Sequence, residues 1–138
     1  MLLDTHAWIW AANDDSRRLG VKARRAIGRA SRAGDLYVSS ASIFEIAALA
    51  TAGRLLLNQS AERWIRASID RGALRVLNIG IDAALDAGTI PASALADPID
   101  RLLVATAREN QIPLLTRDRI ILDYAKRTGL VRVVDAAA

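Results

Sequence analysis

Met1-Leu2-Leu3-Asp4-Thr5-His6 is the stretch that decides the fold, because three apolar residues run directly into a carboxylate. The apolar residues predict a short buried strand over residues 1–4, and a helix is predicted after it, over residues 6–12. In open α/β sheets, ligands bind at the edge formed by the carboxyl ends of the strands. Asp4 is therefore predicted to lie where a ligand would bind.

Further short apolar runs are predicted as strands, with helical patterns between them. The predicted strands are residues 1–4, 36–38, 74–79, 113–116 and 131–134. The predicted helices are residues 6–12, 17–33, 41–52, 60–71, 82–87, 97–110 and 118–127, with a loop over residues 88–96. This alternation is typical of a parallel sheet with helices on both faces. We predict one α/β domain over residues 1–138, whose last three alanines form a frayed end.

The composition favours a cytoplasmic protein that does not associate with membranes. A chain of 138 residues suffices for one domain, and its 52% hydrophobic content predicts a thoroughly buried sheet, a subunit interface, or both. No apolar run is long enough to span a membrane, and no secretory signal is visible. The lack of cysteine excludes disulfides and thiolate metal sites. A formal net charge of +4 suits a polyanionic partner, although many basic proteins bind no nucleic acid.

Three further acids are predicted at the same edge of the sheet as Asp4. Glu45 lies early in the helix after the second strand, and Asp100 lies in the first turn of a later helix. Asp118 directly follows the fourth strand. In a parallel sheet covered by helices, the helix N-termini and the strand C-termini share one edge. The four acids converge if strands one and four are neighbours, as in the strand order 3-2-1-4-5.

Each acid also has a purely structural alternative. Asp4 and Asp118 could simply cap the helices that follow them, and Ser42 with Glu45 matches a capping box. Against the capping alternative, Glu45 is the only charged residue between positions 35 and 54. Because an unpaired carboxylate on an apolar helix face is costly to bury, Glu45 is expected to have a partner.

Asp97-Pro98-Ile99-Asp100 has the features of a helix start, with an aspartate at the cap, a proline at the first position and an acid in the first turn. The face of Asp97 carries arginines and is predicted to be solvated. The face of Asp100 carries Leu103 and Ala107 and is predicted to point inward. Asp97 is thus the better structural cap, and Asp100 is the better functional acid.

Four carboxylates at one edge would repel one another and raise one another's pKa values, and a divalent cation would remove that penalty. Oxygen ligands select Mg²⁺ or Mn²⁺ rather than zinc. One or two such ions could activate a water for attack on a phosphodiester. The pattern predicts a metal-dependent nuclease without a protein nucleophile. Its predicted catalytic and metal-binding residues are Asp4, Glu45, Asp100 and Asp118.

Four blocks of the sequence resemble the successive signatures of PIN-domain proteins, most closely the VapC-type toxins of bacterial toxin–antitoxin pairs. The blocks are residues 2–7, residues 42–47 with 53–55, residues 97–105 and residues 115–118. The resemblance implies a Mg²⁺-dependent endoribonuclease with a five-stranded parallel sheet of order 3-2-1-4-5, whose acidic quartet falls on the four acids above. It also implies a homodimer and a small VapB-like antitoxin that blocks the site. Leu95 stands where relatives often carry a histidine, which bears on substrate contacts or folding rather than on metal binding.

Other residues near the acids are predicted to have lesser roles. Thr5, Asp97, Thr116 and Arg117 are predicted to orient a ligand or contact substrate. The basic face of residues 17–33 could follow RNA phosphates or could simply be solvated. His6 is predicted as a local hydrogen-bonding residue, not a general base. The residues predicted as core or interface rather than base-stacking aromatics are Trp8, Trp10 and Trp64.

Two alternative functions remain open. The first is a non-catalytic RNA- or protein-binding module with the same fold. The second is a phosphatase of the haloacid-dehalogenase type, which also has acids at the ends of parallel strands. That chemistry needs a second aspartate two residues after the first, and this chain has His6 there.

Overall fold

The computed structural model describes residues 1–138 and consists of strands that alternate with helices. The strands are β1 (Leu2–Leu3), β2 (Tyr37–Ser39), β3 (Arg75–Leu77), β4 (Leu114–Thr116) and β5 (Val133–Asp135). The helices are α1 (Thr5–Ala12), α2 (Val21–Arg32), α3 (Ser40–Thr51), α4 (Ala61–Gly72), α5 (Ile81–Thr89), α6 (Pro98–Glu109) and α7 (Arg119–Thr128). The predicted α/β class is confirmed.

The five strands form one parallel sheet in the order β3-β2-β1-β4-β5, as predicted. The first strand is central, because Leu2 lies opposite Tyr37 of β2 and opposite Leu114 of β4. The chain therefore changes direction across the sheet between β1 and β4. This is the arrangement that brings the acids after β1 and β4 to adjacent positions.

Side chains from the sheet enter two separate apolar clusters, one on each face. Leu3 and Leu115 belong to the cluster that contains Trp8 and Trp64. Leu2, the neighbour of Leu3, belongs to the other cluster, which includes residues of α6 and α7. Because successive side chains of a strand point to opposite faces, two adjacent leucines supply both halves of the core. The predicted covering of both faces is confirmed.

Several predicted boundaries were wrong. The helix predicted over residues 17–33 begins only at Val21, because Gly20 is its N-cap. A Cβ atom at Gly20 would lie 2.0 Å from the carbonyl oxygen of Ala138, so only glycine fits there. The α5 helix continues to Thr89 into the predicted loop, and the last strand is Val133–Asp135 rather than residues 131–134.

The prediction of a frayed end for the last three alanines was also wrong. Ala136 is completely buried. Its N–H donates to the carbonyl of Thr116 at 2.8 Å, and its carbonyl accepts from the N–H of Gly20 at 2.9 Å. The carbonyl of Ala138 accepts from the N–H of Ala23 at 3.1 Å. These backbone hydrogen bonds attach the segment to β4 and to the start of α2.

None of the helices combines the length and the apolar character that crossing a bilayer would require.

Candidate active site

A cleft of about 320 Å³ lies at the carboxyl ends of β1 and β4 and is lined by all four predicted acids. The acids that line it are Asp4, Glu45, Asp100 and Asp118. The remaining lining residues are Thr5, His6, Trp10, Leu103 and Arg117. The structure thus brings together residues that are spread over most of the chain. Their catalytic and metal-binding roles stay predictions.

Asp4 serves both as a helix cap and as part of the cleft. It ends β1, and its Oδ1 accepts a hydrogen bond from the N–H of Ala7 at 2.6 Å, which caps α1. The residue is only 8% exposed. Burial raises the pKa of the Asp4 carboxyl, against the smaller opposing effects of hydrogen bonds from the Thr116 hydroxyl and the Ala7 N–H. The structural alternative for Asp4 is therefore correct without excluding the functional one.

Glu45 does not form the capping box that its spacing from Ser42 suggested. The α3 helix begins at Ser40, and the hydroxyl of Ser39 caps it by accepting from the N–H of Ala41 at 3.0 Å. Glu45 is half-buried and faces the cleft from the second turn of α3. The capping explanation for Glu45 was therefore wrong.

Ser42 lies inside α3 and has a different task. Its hydroxyl accepts a hydrogen bond from the hydroxyl of Thr5 at 2.8 Å, and both side chains are buried. This bond fixes α1 against α3. It thereby holds the helix that follows Asp4 next to the helix that carries Glu45. The sequence analysis placed Thr5 near the acids but missed Ser42 as its partner.

Asp97 and Asp100 lie in the different surroundings predicted from their two helix faces. Asp97 is exposed and caps α6, because its Oδ1 accepts from the N–H of Ile99 at 2.8 Å. Asp100 is half-buried and lines the cleft. Burial, together with the negative charges of Asp97, Asp118, Glu45 and Asp4, raises the pKa of Asp100 to about 7. The negative charge of every other acid of the cleft therefore acts on the ionisation of Asp100.

Asp118 lines the cleft from the start of α7, where it is the N-cap. Its Oδ1 accepts from the N–H of Ile120 at 2.7 Å, and its own N–H donates to the hydroxyl of buried Thr116 at 3.0 Å. The structural alternative for Asp118 is thus also correct. Thr116 contacts both strand-end acids, since its hydroxyl stabilises the ionised form of Asp4 as well.

The donor set of the cleft fits a hard divalent cation. All of its strong ligands are carboxylates, and burial with nearby negative charge disfavours the ionised state of Asp4 and Asp100, which a cation would relieve. No three carboxylate or imidazole side chains are grouped closely enough to hold an ion among themselves. An ion in this cleft would therefore share its coordination sphere with water or substrate oxygens, as Mg²⁺ commonly does.

One wall of the cleft is aromatic and basic. The ring centroids of His6 and Trp10 lie 6.0 Å apart, and the Arg18 guanidinium lies 5.7 Å from the centre of the Trp10 ring. Arg117 lines the cleft and is exposed. The His6 imidazole makes no hydrogen bond to another residue, so the prediction of a local hydrogen-bonding role was wrong. A histidine and a tryptophan four positions apart share a helix face, and this spacing could have indicated the wall.

Two further sequence expectations have clear outcomes. Trp8 and Trp64 are core residues, as predicted, with their ring centroids 5.7 Å apart. From its position in the sequence, Arg101 could reach a phosphate or pair with Asp97. It makes no ion pair with Asp97, and its Nε atom is buried without a hydrogen-bond partner. Arg101 does not line the cleft.

Comparisons with known proteins agree with this architecture. A family model described as the PIN domain matches residues 1–127. Ribonuclease VapC22 of Mycobacterium tuberculosis is 36% identical over 120 residues, which cover 86% of this chain and 87% of that protein.

Solved structures show the same fold at low sequence identity. VapBC2 of Rickettsia felis, bound to a DNA fragment from its promoter, superposes with a TM-score of 0.69 at 12% identity, covering 96% of each chain. DNA-bound VapBC of Salmonella typhimurium superposes with a TM-score of 0.66 at 20% identity, covering 97% of this chain and 96% of that one.

Proposed function

The chain belongs to the PIN-domain family, and from this premise we propose that it is a Mg²⁺- or Mn²⁺-dependent endoribonuclease. It is the toxin of a VapBC-type toxin–antitoxin module, a single nuclease domain over residues 1–138 that acts in the cytoplasm. Its proposed catalytic and metal-binding residues are Asp4, Glu45, Asp100 and Asp118. The 36% identity to a ribonuclease supports the reaction type.

The observation that carries the proposal is that Asp100 lies half-buried in a cleft lined by three other carboxylates. Its pKa is raised to about 7 by burial and by four neighbouring carboxylates. A carboxyl whose ionisation is opposed by its neighbours weakens the fold, and Asp100, unlike Asp4 and Asp118, caps no helix. Perturbed carboxylates in a cleft are typical of functional sites.

The residues of the cleft divide the work of phosphodiester hydrolysis. A bound Mg²⁺ or Mn²⁺ supplies a Lewis acid that polarises phosphoryl oxygens and lowers the pKa of water. Asp4 and Asp118 are oriented by the N-terminal N–H groups of α1 and α7, so their free oxygens keep fixed positions. Arg117 offers its guanidinium to a phosphate at the rim of the cleft.

No thiol or hydroxyl side chain of the cleft is suited to act as a nucleophile. The chain has no cysteine. The Thr5 hydroxyl donates to Ser42, and the Thr116 hydroxyl accepts from the N–H of Asp118. Neither threonine has a histidine as a partner that could activate it. This supports attack by water rather than a covalent intermediate.

The test is cleavage of end-labelled RNA with Mg²⁺, with Mn²⁺ and with EDTA. We expect metal-dependent internal cuts by the wild-type protein and none by Asp4→Asn. Asp82→Asn is the matched control, since Asp82 is an exposed aspartate in the first turn of α5, outside the cleft. Cleavage by Asp4→Asn at the wild-type rate would contradict the proposal. RNA binding without cleavage under any metal would favour the non-catalytic alternative instead.

We also propose two protein partners, a second copy of the chain and a small VapB-like antitoxin. The structures that this fold matches are VapBC complexes. Large apolar side chains at the surface support contact with other proteins, notably Phe44, Ile81 and Leu85, each largely exposed. Light scattering of the purified chain is expected to give twice the monomer mass. A short reading frame for the antitoxin is expected immediately upstream of the gene, and its co-expression is expected to yield a complex that no longer cleaves RNA.

A further inference from the structure

We propose that Trp10 stacks against an unpaired base of the RNA bound in the cleft. This inference rests on the proposed ribonuclease function. It assigns a substrate-binding role to a residue that the sequence pattern alone assigns to the core.

Trp10 differs from the other two tryptophans in its surroundings. Trp8 and Trp64 are 1% and 3% exposed and pack against each other in the core. Trp10 is half-buried and lines the same cleft as Asp4 and Asp100. Its indole ring is therefore the only one in the chain that a ligand in the cleft could touch.

The hydrogen bonding of the indole N–H group distinguishes Trp8, which is part of the core, from Trp10, which could bind a ligand. The Nε1 atom of Trp8 donates to the hydroxyl of Ser68 at 3.1 Å, as expected for a buried indole. The indole N–H of Trp10 donates to no group of the protein. Trp10 thus keeps both a partly open ring and a free hydrogen-bond donor at the wall of the cleft.

The neighbours of Trp10 favour a nucleotide over an uncharged ligand. Arg18 lies over the ring at 5.7 Å and is itself held by an ion pair with Asp15 at 3.4 Å. The guanidinium of Arg117 makes a long contact of 3.5 Å with the carbonyl of Arg18. One arginine over the ring and a second one lining the same cleft suit a base flanked by phosphates.

A base in a duplex is stacked on its neighbours and paired, so it cannot reach the Trp10 ring. An unpaired base is free to turn out and stack on an aromatic side chain. Stacking does not depend on base identity, because every base has a π-face. The proposal therefore predicts selection of single strands without a strong preference for one base at this position.

The experiment measures binding in EDTA, where the proposed cleavage stops, by tryptophan fluorescence and by anisotropy of a labelled RNA. A single-stranded oligonucleotide is expected to quench the fluorescence of the wild-type protein. It is also expected to protect Trp10 from further quenching by acrylamide. The same strand in a duplex, or carrying abasic sites, is expected to do neither. Absence of quenching by the single strand would overturn the proposal.

Two variants separate stacking from packing. Trp10→Leu keeps an apolar side chain but removes the π-face, and it is expected to bind single strands about 5- to 150-fold more weakly. Trp10→Phe keeps an aromatic ring and is expected to retain most of the affinity. Circular dichroism and the thermal unfolding midpoint verify that both variants are folded. Equal affinity of wild type and Trp10→Leu would overturn the proposal.

The two proposals fail in different ways. If single strands quench the fluorescence but no metal supports cleavage, then the ribonuclease function is wrong and the stacking role stands. If the protein cleaves single and double strands equally, and Trp10→Leu cleaves as well as wild type, then the stacking role is wrong and the function stands.

Discussion

A groove and the acidic cleft lie on either side of α1, and the larger of the two has the smaller share of charged lining residues. A groove of about 680 Å³ lies between α1, α2 and α4, and Trp8, Ile27 and Leu36 contribute to its apolar lining. The acidic cleft is about half that size, at 320 Å³, and Trp10 lies on its wall. The short helix α1 thus contributes Trp8 to the groove and Trp10 to the cleft.

The difference lies in how the charges are compensated. In the groove, Asp15 forms ion pairs with Arg17 and Arg18 at 3.8 and 3.4 Å. In the cleft, no acid forms an ion pair, and the pKa values of Asp4 and Asp100 are raised. The volume of a cavity shows only that a ligand could fit. Acids without an ion-pair partner indicate a functional site.

The largest expected effect comes from removing one charge of the cleft. Asp4→Asn and Asp100→Asn are each expected to lower the rate of RNA cleavage by more than roughly 100-fold. Substitution of residues that only orient metal ligands typically costs roughly 10- to 100-fold, and these two acids are proposed as ligands themselves. Gly28→Ala alters the groove and is expected to leave the rate unchanged. Single-turnover cleavage rates measure both. If Gly28→Ala cleaved RNA more slowly than wild type while Asp100→Asn kept the wild-type rate, the active site would lie in the groove and not in the cleft.

The second effect concerns stability without metal. The pKa of Asp100 in the folded chain is about 7, above its ordinary value of 3.8, so the folded chain binds more protons than the unfolded chain in that range. The free energy of unfolding therefore falls as pH rises from about 4 to about 7. The loss is fully present above pH 7, and the raised pKa of Asp4 acts in the same direction.

Asp100→Asn removes this pH-dependent loss. In EDTA at pH 8 the variant is expected to be on the order of 2 kcal/mol more stable than wild type, after discounting for partial exposure to solvent. At pH 4 the two should differ little. Urea unfolding at both pH values measures the difference, with Asp82→Asn as control. A variant less stable than wild type at pH 8 would show that the acid is not repelled by its neighbours.

A smaller effect is expected from the bond that joins α1 to α3. Thr5→Val removes the donor to Ser42, which is expected to cost about 1 kcal/mol of unfolding free energy. A double-mutant cycle with Ser42→Ala isolates that bond, because each single variant breaks it. Additive effects of the two substitutions would mean that the hydroxyls do not interact. Reduced cleavage beyond the loss of folded protein would indicate that the bond also positions the acids.

The smallest effect belongs to the groove. Gly28 lies within α2, and a Cβ atom there would meet only the flexible end of Arg32, at 3.4 Å. Gly28→Ala is therefore expected to raise stability by about 0.5–1 kcal/mol, since glycine is unfavourable inside a helix. Chemical denaturation measures it. A destabilised variant would mean that the groove wall is packed more tightly than the structure shows.

The sequence predicted those features that depend on side-chain pattern and on the geometry of parallel sheets. The positions of Asp4 and Asp118 after strands, and of Asp100 near a helix start, placed these acids at one edge of the sheet, and the strand order implied by the family resemblance predicted that they converge. The inward face of Asp100 followed from Leu103 and Ala107, because helix periodicity distinguishes it from Asp97.

Features that depend on backbone contacts or on local capping could not be predicted in the same way. Attachment of residues 136–138 uses backbone hydrogen bonds, which leave no side-chain signature beyond the small Gly20 that they require. The start of α3 at Ser40 removed Glu45 from a capping box, and a shift of a few residues in a helix boundary suffices for that. Trp10 satisfies the same hydrophobic pattern as a core residue, and only the folded chain reveals its open side.

Binding of Mn²⁺ by isothermal titration calorimetry at pH 7 tests most directly whether the acids serve one cation. We predict saturable binding to wild type with release of protons, seen as a dependence of the heat on the ionisation enthalpy of the buffer, because Asp100 has a pKa of about 7. Asp100→Asn should bind much more weakly, and Asp82→Asn should bind like wild type. Equal Mn²⁺ affinity of wild type and Asp100→Asn, or no saturable binding to either, would contradict it.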